Sequence, residues 1–268
     1  MANTVYPNKV IEAKAKDILT TQINARSMMT IDTSLTQNAG MVKTINTYTY
    51  TGTAEEVSAG SGNSTRGSIA YVGKDYTVKM VQQAFDYLDE DFMKDPVIVD
   101  FGIKGATSVM TNKMTSDFYS ALATKNGATE LVTGITFAKG KALSYDVIVD
   151  AISELNLEDE SKIFIVIPNA WKASLRKDAD YKSAQMGEVI YNGQVGTICG
   201  IPVIATKALT DKAYVMTNEA VTLFLKKDVE VEQDRDADTR KNSVYLRDCY
   251  VCALTDATKA CRITEATA

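Results

Sequence analysis

The spacing of apolar residues changes along this chain, and the changes divide it. Residues 9–29, KVIEAKAKDILTTQINARSMM, place Ile11, Ala15, Ile18, Leu19 and Ile23 on one face of a helix, with Glu12, Lys14, Lys16 and Asp17 opposite. Such a stripe needs an apolar surface to cover, on its own chain or a neighbour's. Over 41–81 the period drops to two. INTYTYT and SIAYVGKDYTVKM are rich in the β-branched and aromatic residues that favour strands. Ile69 and Tyr71 share one face, whereas Tyr76, Val78 and Met80 share the other, so a bulge or bend is expected at Gly73. Two strands joined by SAGSGNSTRG (58–67) form an extended β-arm with few large apolar residues, unable to pack as a domain alone.

The helical period returns in 95–127. Asp95 suits an N-cap, Pro96 a first turn and Asn126-Gly127 a stop, while Val109, Met110, Met114, Phe118, Ala121 and Leu122 recur at helical spacing. A helix of about thirty residues, roughly 45 Å, is predicted, with a kink allowed at Gly102 and Gly105. From 128 to about 225 the pattern is that of a compact α/β module. A helix opens at Ser144 with Val147, Ile148, Ala151, Ile152 and Leu155 inward; KIFIVIP (162–168) reads as a central buried strand, NAWKASLRK as a short helix, and GTICGIPVIAT and AYVMTN as strands. The tail alternates again, with Val229 and Val231 on one face, then NSVYLRDCYVCALTD, and KACRIT closing the layer formed with the long helix.

Composition narrows the chemistry. The 268 residues include no histidine, which removes the commonest general base, the usual partner of a serine or cysteine nucleophile, and the commonest zinc ligand. A net charge of −5 argues against a protein built to grip nucleic acid, though an acidic wall suits one that only encloses it. No run approaches the roughly 18–20 apolar residues of a membrane span, and the N-terminus has no signal-peptide core, so the protein is expected to stay where it is made. Cys249 and Cys252 have redox or zinc spacing, but on a strand they point to opposite faces; with Cys199 and Cys261 they read as free thiols.

Other motifs fail on inspection. SAGSGNSTRG lacks the Gly-Lys of a phosphate loop and reads as a mobile tip between strands. DRDADTR spaces Asp234, Asp236 and Asp238 like a calcium loop, but Thr239 and Tyr245 stand where a glycine and a glutamate are needed, so it reads as a charged turn. DYLDEDFMKD, with Asp86, Asp89, Glu90 and Asp91, reads as a solvated helix face or a site of intersubunit salt bridges. Asn63-Ser64-Thr65 is an idle glycosylation match, and Trp171 and Tyr181 are core or interface aromatics. No catalytic, metal or cofactor-binding residues are assigned.

The order of segments, and GQVGTICGIPVIATKAL (193–209) followed by AYVMTNEAVTLFLKKDVEVEQDRD and VYLRDCYVCALTDATKACRI, resembles the major capsid proteins of tailed bacteriophages, the Hong Kong ninety-seven-type fold. The motifs lie within about 160–265, while 1–127 matches by the order of its elements. The resemblance implies an α+β capsid fold. Residues 1–40 would be an N-terminal arm, 41–78 the extended β-arm (E-loop), 79–127 with 226–268 a peripheral domain with a long spine helix, and 128–225 an inserted α/β axial domain. It implies a non-enzymatic shell subunit assembling through pentamers and hexamers, with no cofactor and no membrane, that encloses DNA without sequence-specific binding. Virion localisation and assembly in the bacterial host cytoplasm follow from it. Some relatives begin with a cleavable scaffolding region, and with about forty residues before the β-arm here, either a separate scaffolding protein or a removed region is expected, with a portal as a further partner. Intersubunit contacts are expected from Ile11, Ile18, Tyr48, Tyr50, Arg66, Tyr71, Asp89 and Asp91. Some relatives cross-link lysine to asparagine; nothing singles out Lys43, Lys74 or Asn242, and no cross-link is expected. The alternatives are an encapsulin-like nanocompartment shell and a histidine-free small-molecule binding module on 128–225.

Overall fold

Two sheets and one long helix account for the changes of period. The structure, a computed structural model, describes residues 25–37, 39–179 and 196–266 together with Ile11 and Ala13, apart from the side chains of Thr47, Tyr48, Thr49, Val72 and Asn126. A 3-10 turn, Ala25–Met28, leads into β1 (Thr30–Asp32); then come β2 (Val42–Thr51), β3 (Ser68–Thr77), β4 (Lys79–Leu88), α1 (Asp89–Lys94) and α2 (Val97–Leu122). The short β5 (Lys125–Asn126) and β6 (Thr129–Glu130) precede β7 (Thr133–Phe137), α3 (Tyr145–Leu155), β8 (Ile163–Pro168) and α4 (Lys172–Lys177). β9 (Thr197–Ile198), β10 (Ile201–Thr206), β11 (Lys212–Thr217), β12 (Val221–Asp236), β13 (Lys241–Leu254) and β14 (Ala260–Glu265) complete the chain.

One sheet has the order β1-β12-β13-β4 and the other β7-β14-β11-β8-β10-β9, while among the described residues β2 and β3 pair only with each other. The first half of α2 covers the smaller sheet: Val99, Ile103, Ala106 and Met110 pack on Val229, Val231, Val244 and Leu246. Its second half joins the sheets. Met114, Phe118, Ala121 and Leu122 share a core with Leu223, Leu225 and Tyr250 of the smaller sheet and with Val166, Tyr214 and Met216 of the larger. Along β8, Ile163, Ile165 and Ile167 turn the other way onto α3, where Ile148, Ala151, Ile152 and Leu155 are buried. Strand β8 is thus apolar on both faces because each face meets a different core.

Helix α2 is unbroken over 26 residues, about 39 Å at 1.5 Å per residue. The Asp95 carboxylate accepts from the Val97 N–H at 3.0 Å. The buried hydroxyls of Thr107 and Thr111 donate to carbonyls one turn back, at 2.7 and 2.9 Å. Gly102 does not break the helix; it makes room for the Phe85 ring, which a Cβ there would meet at 2.5 Å.

Several expectations change. The helix stops at Leu122, and Asn126-Gly127 instead opens the two-residue turn between β5 and β6, with Gly127 at φ +63°. Val109, expected inward, is 51% exposed. There is no bulge at Gly73, because β2 and β3 stay in register from Val42↔Thr77 to Thr51↔Ser68. The change of face falls at Val78, between β3 and β4, where the chain passes from one sheet to another. The last strand does not close the layer formed with the long helix. β14 lies between β7 and β11 in the larger sheet, so 260–265 belongs with the compact module. Its residues alternate between two cores, Ala260 in the one shared with α2 and Cys261 and Ile263 in the one under α3.

Candidate functional site

Among the described residues, the arm built by β2 and β3 packs on the body at its root. At its root, Ile45 and Tyr76 pack against Leu35, Val78, Phe224, Cys249, Val251 and Ala253. The Lys43 ammonium lies 5.0 Å from the centre of the Phe224 ring, and the Thr44 hydroxyl donates to Asp75 at 2.6 Å. Burial holds the Tyr76 phenol above its usual pKa. Between this root and α2 lies an open cleft of about 360 Å³, lined by Asp75, Tyr76, Asp117, Thr124, Tyr250 and Cys252.

Further out, the arm turns apolar side chains to solvent. Tyr50 and Ile69 sit directly opposite each other and are 67% and 71% exposed, and Tyr71, two residues along the same face, is 69% exposed. The Tyr50 ring lies over Gly67, where any Cβ would fall within 2.1 Å of its hydroxyl oxygen. The tip, expected to be mobile, carries a specific contact. The Glu55 carboxylate accepts from the backbone N–H groups of Ser64 and Thr65, at 2.9 and 3.0 Å, and from both their hydroxyls, at 2.5 and 3.0 Å. These bonds, that from the Ser64 hydroxyl foremost, lower its pKa to about 2. The glycine- and hydroxyl-rich run therefore cradles an anion after all, a carboxylate of its own chain.

A second apolar strip runs along the outer side of α1 and α2, where Met93, Val97, Phe101 and Val109 are 80%, 62%, 76% and 51% exposed. Residues 97, 101, 105 and 109 recur every four positions, on one face of the helix. The inner face of α2 is covered by its own sheets, so this helix is apolar on both sides at its N-terminal half.

The residues expected to meet neighbours divide into groups. Tyr50, Tyr71 and Arg66 are exposed on the arm and its tip. Ile11 is 1% exposed, held by its own chain against Tyr87, Val99 and Ile103, so its side chain is not available to a neighbour. Asp89 is likewise engaged at home. It accepts from Arg235 and from the buried Asn242, both at 2.6 Å, and these bonds, that from Arg235 the larger, hold its carboxyl below the usual range. Glu90 pairs with Arg240 and Asp86 with Lys241, both at 2.7 Å, so the acidic stretch DYLDEDFMKD clasps the β12–β13 turn. Asp91 faces Lys94 at 3.5 Å within α1. Ile18 and the Tyr48 side chain, like Tyr181, lie outside the described residues.

In DRDADTR, Asp236 accepts from the Asp238 N–H and the Thr239 hydroxyl, closing the turn as expected. Cys249 and Cys252 enter different cores on the two sides of β13, and burial pushes their thiols up, Cys252 to about 12. Among the described residues, no three His, Cys, Asp or Glu side chains converge to hold a metal ion. No described helix is long and apolar enough to cross a membrane.

The Glu55 clasp was missed because the signal is slight, a glutamate nine residues before Ser-Thr in a glycine-rich run. The Tyr50–Ile69 pairing needed the strand register, and the outer strip of α2 needed to be known as uncovered.

No protein-family model matches the chain. It is 25% identical over 272 residues to a protein named major capsid protein from Staphylococcus phage phiMR11, covering 98% of this chain and 94% of that one. The capsid structure of cyanophage P-SCSP1u superposes with a TM-score of 0.68 at 12% identity, over 90% of this chain and 87% of that one. A virus-like particle from Pyrococcus furiosus superposes at 0.63 with 10% identity, over 95% and 98%. The chain has the fold of the tailed-bacteriophage major capsid proteins, the Hong Kong ninety-seven type, and is similar to one of them along nearly its whole length.

Proposed function

We propose that this chain is the major capsid protein of a tailed bacteriophage, a structural subunit that assembles with copies of itself into the shell of the virion. The observation that carries this reading is the arm. Among the described residues its two strands pair with no other strand, and it presents Tyr50, Ile69 and Tyr71 to solvent. Apolar side chains left this exposed at home find cover on a partner, and head-to-tail contacts repeated by symmetry close a shell. The similarity to a phage capsid protein over 98% of the chain supports the same conclusion.

On this reading the larger sheet with α3, residues 128–225 joined by 260–265, is the axial domain that clusters into pentamers and hexamers. Helix α2 and the smaller sheet, 79–127 with 226–259, are the peripheral domain, 41–78 the arm over a neighbour, and 1–40 a tie between subunits. A separate scaffolding protein and a portal complete assembly in the host cytoplasm, and the shell encloses DNA without reading its sequence. A net charge of −5 suits such a wall. The likeness to a virus-like particle keeps a second reading in view, a nanocompartment shell that holds protein cargo.

The test is electron microscopy with light scattering on the purified protein across concentration and salt, with and without a co-expressed scaffolding protein. Closed shells, rings or tubes are expected. DNA inside particles recovered from an infected host supports the phage capsid, whereas enclosed protein cargo supports the nanocompartment. A monomer that never assembles under any of these conditions overturns both.

A further inference from the structure

The side of α2 turned away from the sheets carries a row of residues open to solvent. Val97, Phe101, Gly105 and Val109 follow at four-residue intervals, and Met93 of α1 extends the row. The four apolar members are each more than half exposed, a contiguity that marks interaction surfaces. Gly105 is the member that the fold at home does not explain. Glycine is the poorest helix former after proline, and Gly102 at least makes room for Phe85. At Gly105 a Cβ would meet nothing within 4 Å among the described residues, and the backbone there is ordinary helix. What glycine does supply is a notch between Phe101 and Val109, where another backbone can come close.

A ridge at four-residue spacing fits the groove between the like ridges of a second helix, at a crossing of about −50°. The notch fixes the crossing point, with Phe101 and Val109 on either side of it. Charge adds a preference. Lys104 stands exposed next to Gly105, and the Lys94 side chain, 3.5 Å from Asp91, is 77% exposed at the other end of the row. Of the nearby carboxylates, Asp95 accepts from the Val97 N–H, Asp117 accepts from Lys113 and the Tyr250 hydroxyl, and Asp100 is half-buried. The charge most open to solvent along the row is therefore positive.

The row and the arm lie on opposite sides of the smaller sheet. Leu223, Leu225, Tyr250 and Cys252 face α2, whereas the alternate residues Phe224, Cys249, Val251 and Ala253 face the root of the arm. If copies overlap through the arm, the row is left on the other surface of the wall, open to a second protein.

We infer that the row over 93–109 is a docking site for an amphipathic helix of a second protein, with an apolar stripe, a small residue where it crosses Gly105, and acidic residues on its flanks. The choice of a second protein over a second copy rests on the shell reading above; the fit to a helix does not.

Fluorescence anisotropy tests this with the full chain and a labelled, end-capped peptide of about 18 residues, long enough to hold a helix. The peptide carries leucine at every fourth position, alanine in the middle of that stripe and glutamate on both flanks; its twin has lysine in place of glutamate. The glutamate peptide is expected to bind, and the lysine twin about tenfold more weakly, a difference that closes in about 1 M salt. Phe101→Ala and Gly105→Leu should each weaken binding about tenfold or more. Gly105→Leu should at the same time raise the urea midpoint of the chain, since leucine is the better helix former and has open space there. A merely structural glycine gives no such opposition.

Failure of the glutamate peptide to bind, or binding unchanged in both variants, overturns the site. Equal binding of the two peptides at low salt overturns the acidic partner. Sedimentation velocity of the chain alone reads the competing occupant: a pair of copies abolished by Gly105→Leu shows the row covered by a second copy and overturns the inference, and sedimentation unaltered by that substitution supports it. None of these readings needs a closed shell, so the docking site and the shell stand or fall separately.

Discussion

Phe118 tests whether the two sheets form one cooperative unit. Its ring is 0% exposed in the core that α2 shares with both sheets, packed edge-on at 5.0 Å to Tyr119, which in turn stacks on Tyr214 of β11 at 6.3 Å. Phe118→Ala removes a buried ring from a site hemmed in by two sheets and a helix, which cannot collapse to fill it. The cost is about 4 kcal/mol, within the usual range for this truncation. With a urea dependence of about 3 kcal/mol per molar, the midpoint should fall by about 1.3 M. The assay follows urea unfolding of dissociated subunits by far-UV circular dichroism and by fluorescence of the single tryptophan. Trp171 reports on the core under α3, where it packs edge-on against Phe137 at 5.4 Å, far along the chain from Phe118. Both signals should shift together, and Phe118→Leu should shift them less. A tryptophan transition left at its original midpoint while the dichroism moves would refute the shared core.

At the arm tip, Glu55→Ala should speed tryptic cleavage after Arg66 several-fold by releasing Ser64 and Thr65; in the unaltered protein the clasp should be complete above pH 4.5 and fade as pH falls toward 2, followed by exchange at those two amides. Gly134→Ala places a Cβ 2.7 Å from the Arg262 guanidinium, which pairs with Glu130 alongside Lys212, and should cost about 1–2 kcal/mol in the same urea titration. A thiol reagent at pH 8 should label Cys199 within minutes and leave Cys249, Cys252 and Cys261 unreacted until urea is added, since these three are buried and their thiols are pushed up. Fast labelling of a second cysteine would show that one core opens.

Local pattern alone determined much of this protein. Helical spacing from Met110 to Leu122, alternation at Val229 and Val231, and the continuous run of β8 each report burial within a few residues, and each element formed where its period placed it. The opposite facing of Cys249 and Cys252 followed from strand geometry, and the arm from two β-prone runs around a glycine-rich link. Tertiary structure decided what depends on partners distant in sequence. KACRIT reads as a strand anywhere, but only the uncovered space between β7 and β11 placed it in the larger sheet. Asp89 looked free for a neighbour because nothing local shows that Arg235 and Asn242 fold back onto it. Ile11 looked like a neighbour's ligand because a helix stripe does not say whose surface it covers. In NSVYLRDCYVCAL alternation puts Asp248 in the row of Val244, Leu246 and Tyr250, and only the fold shows that this row, the carboxylate included, lies inside, at 2% exposure. Periodicity records which residues leave water; long-range pairing, whose free energy depends on the whole fold, determines what they meet there.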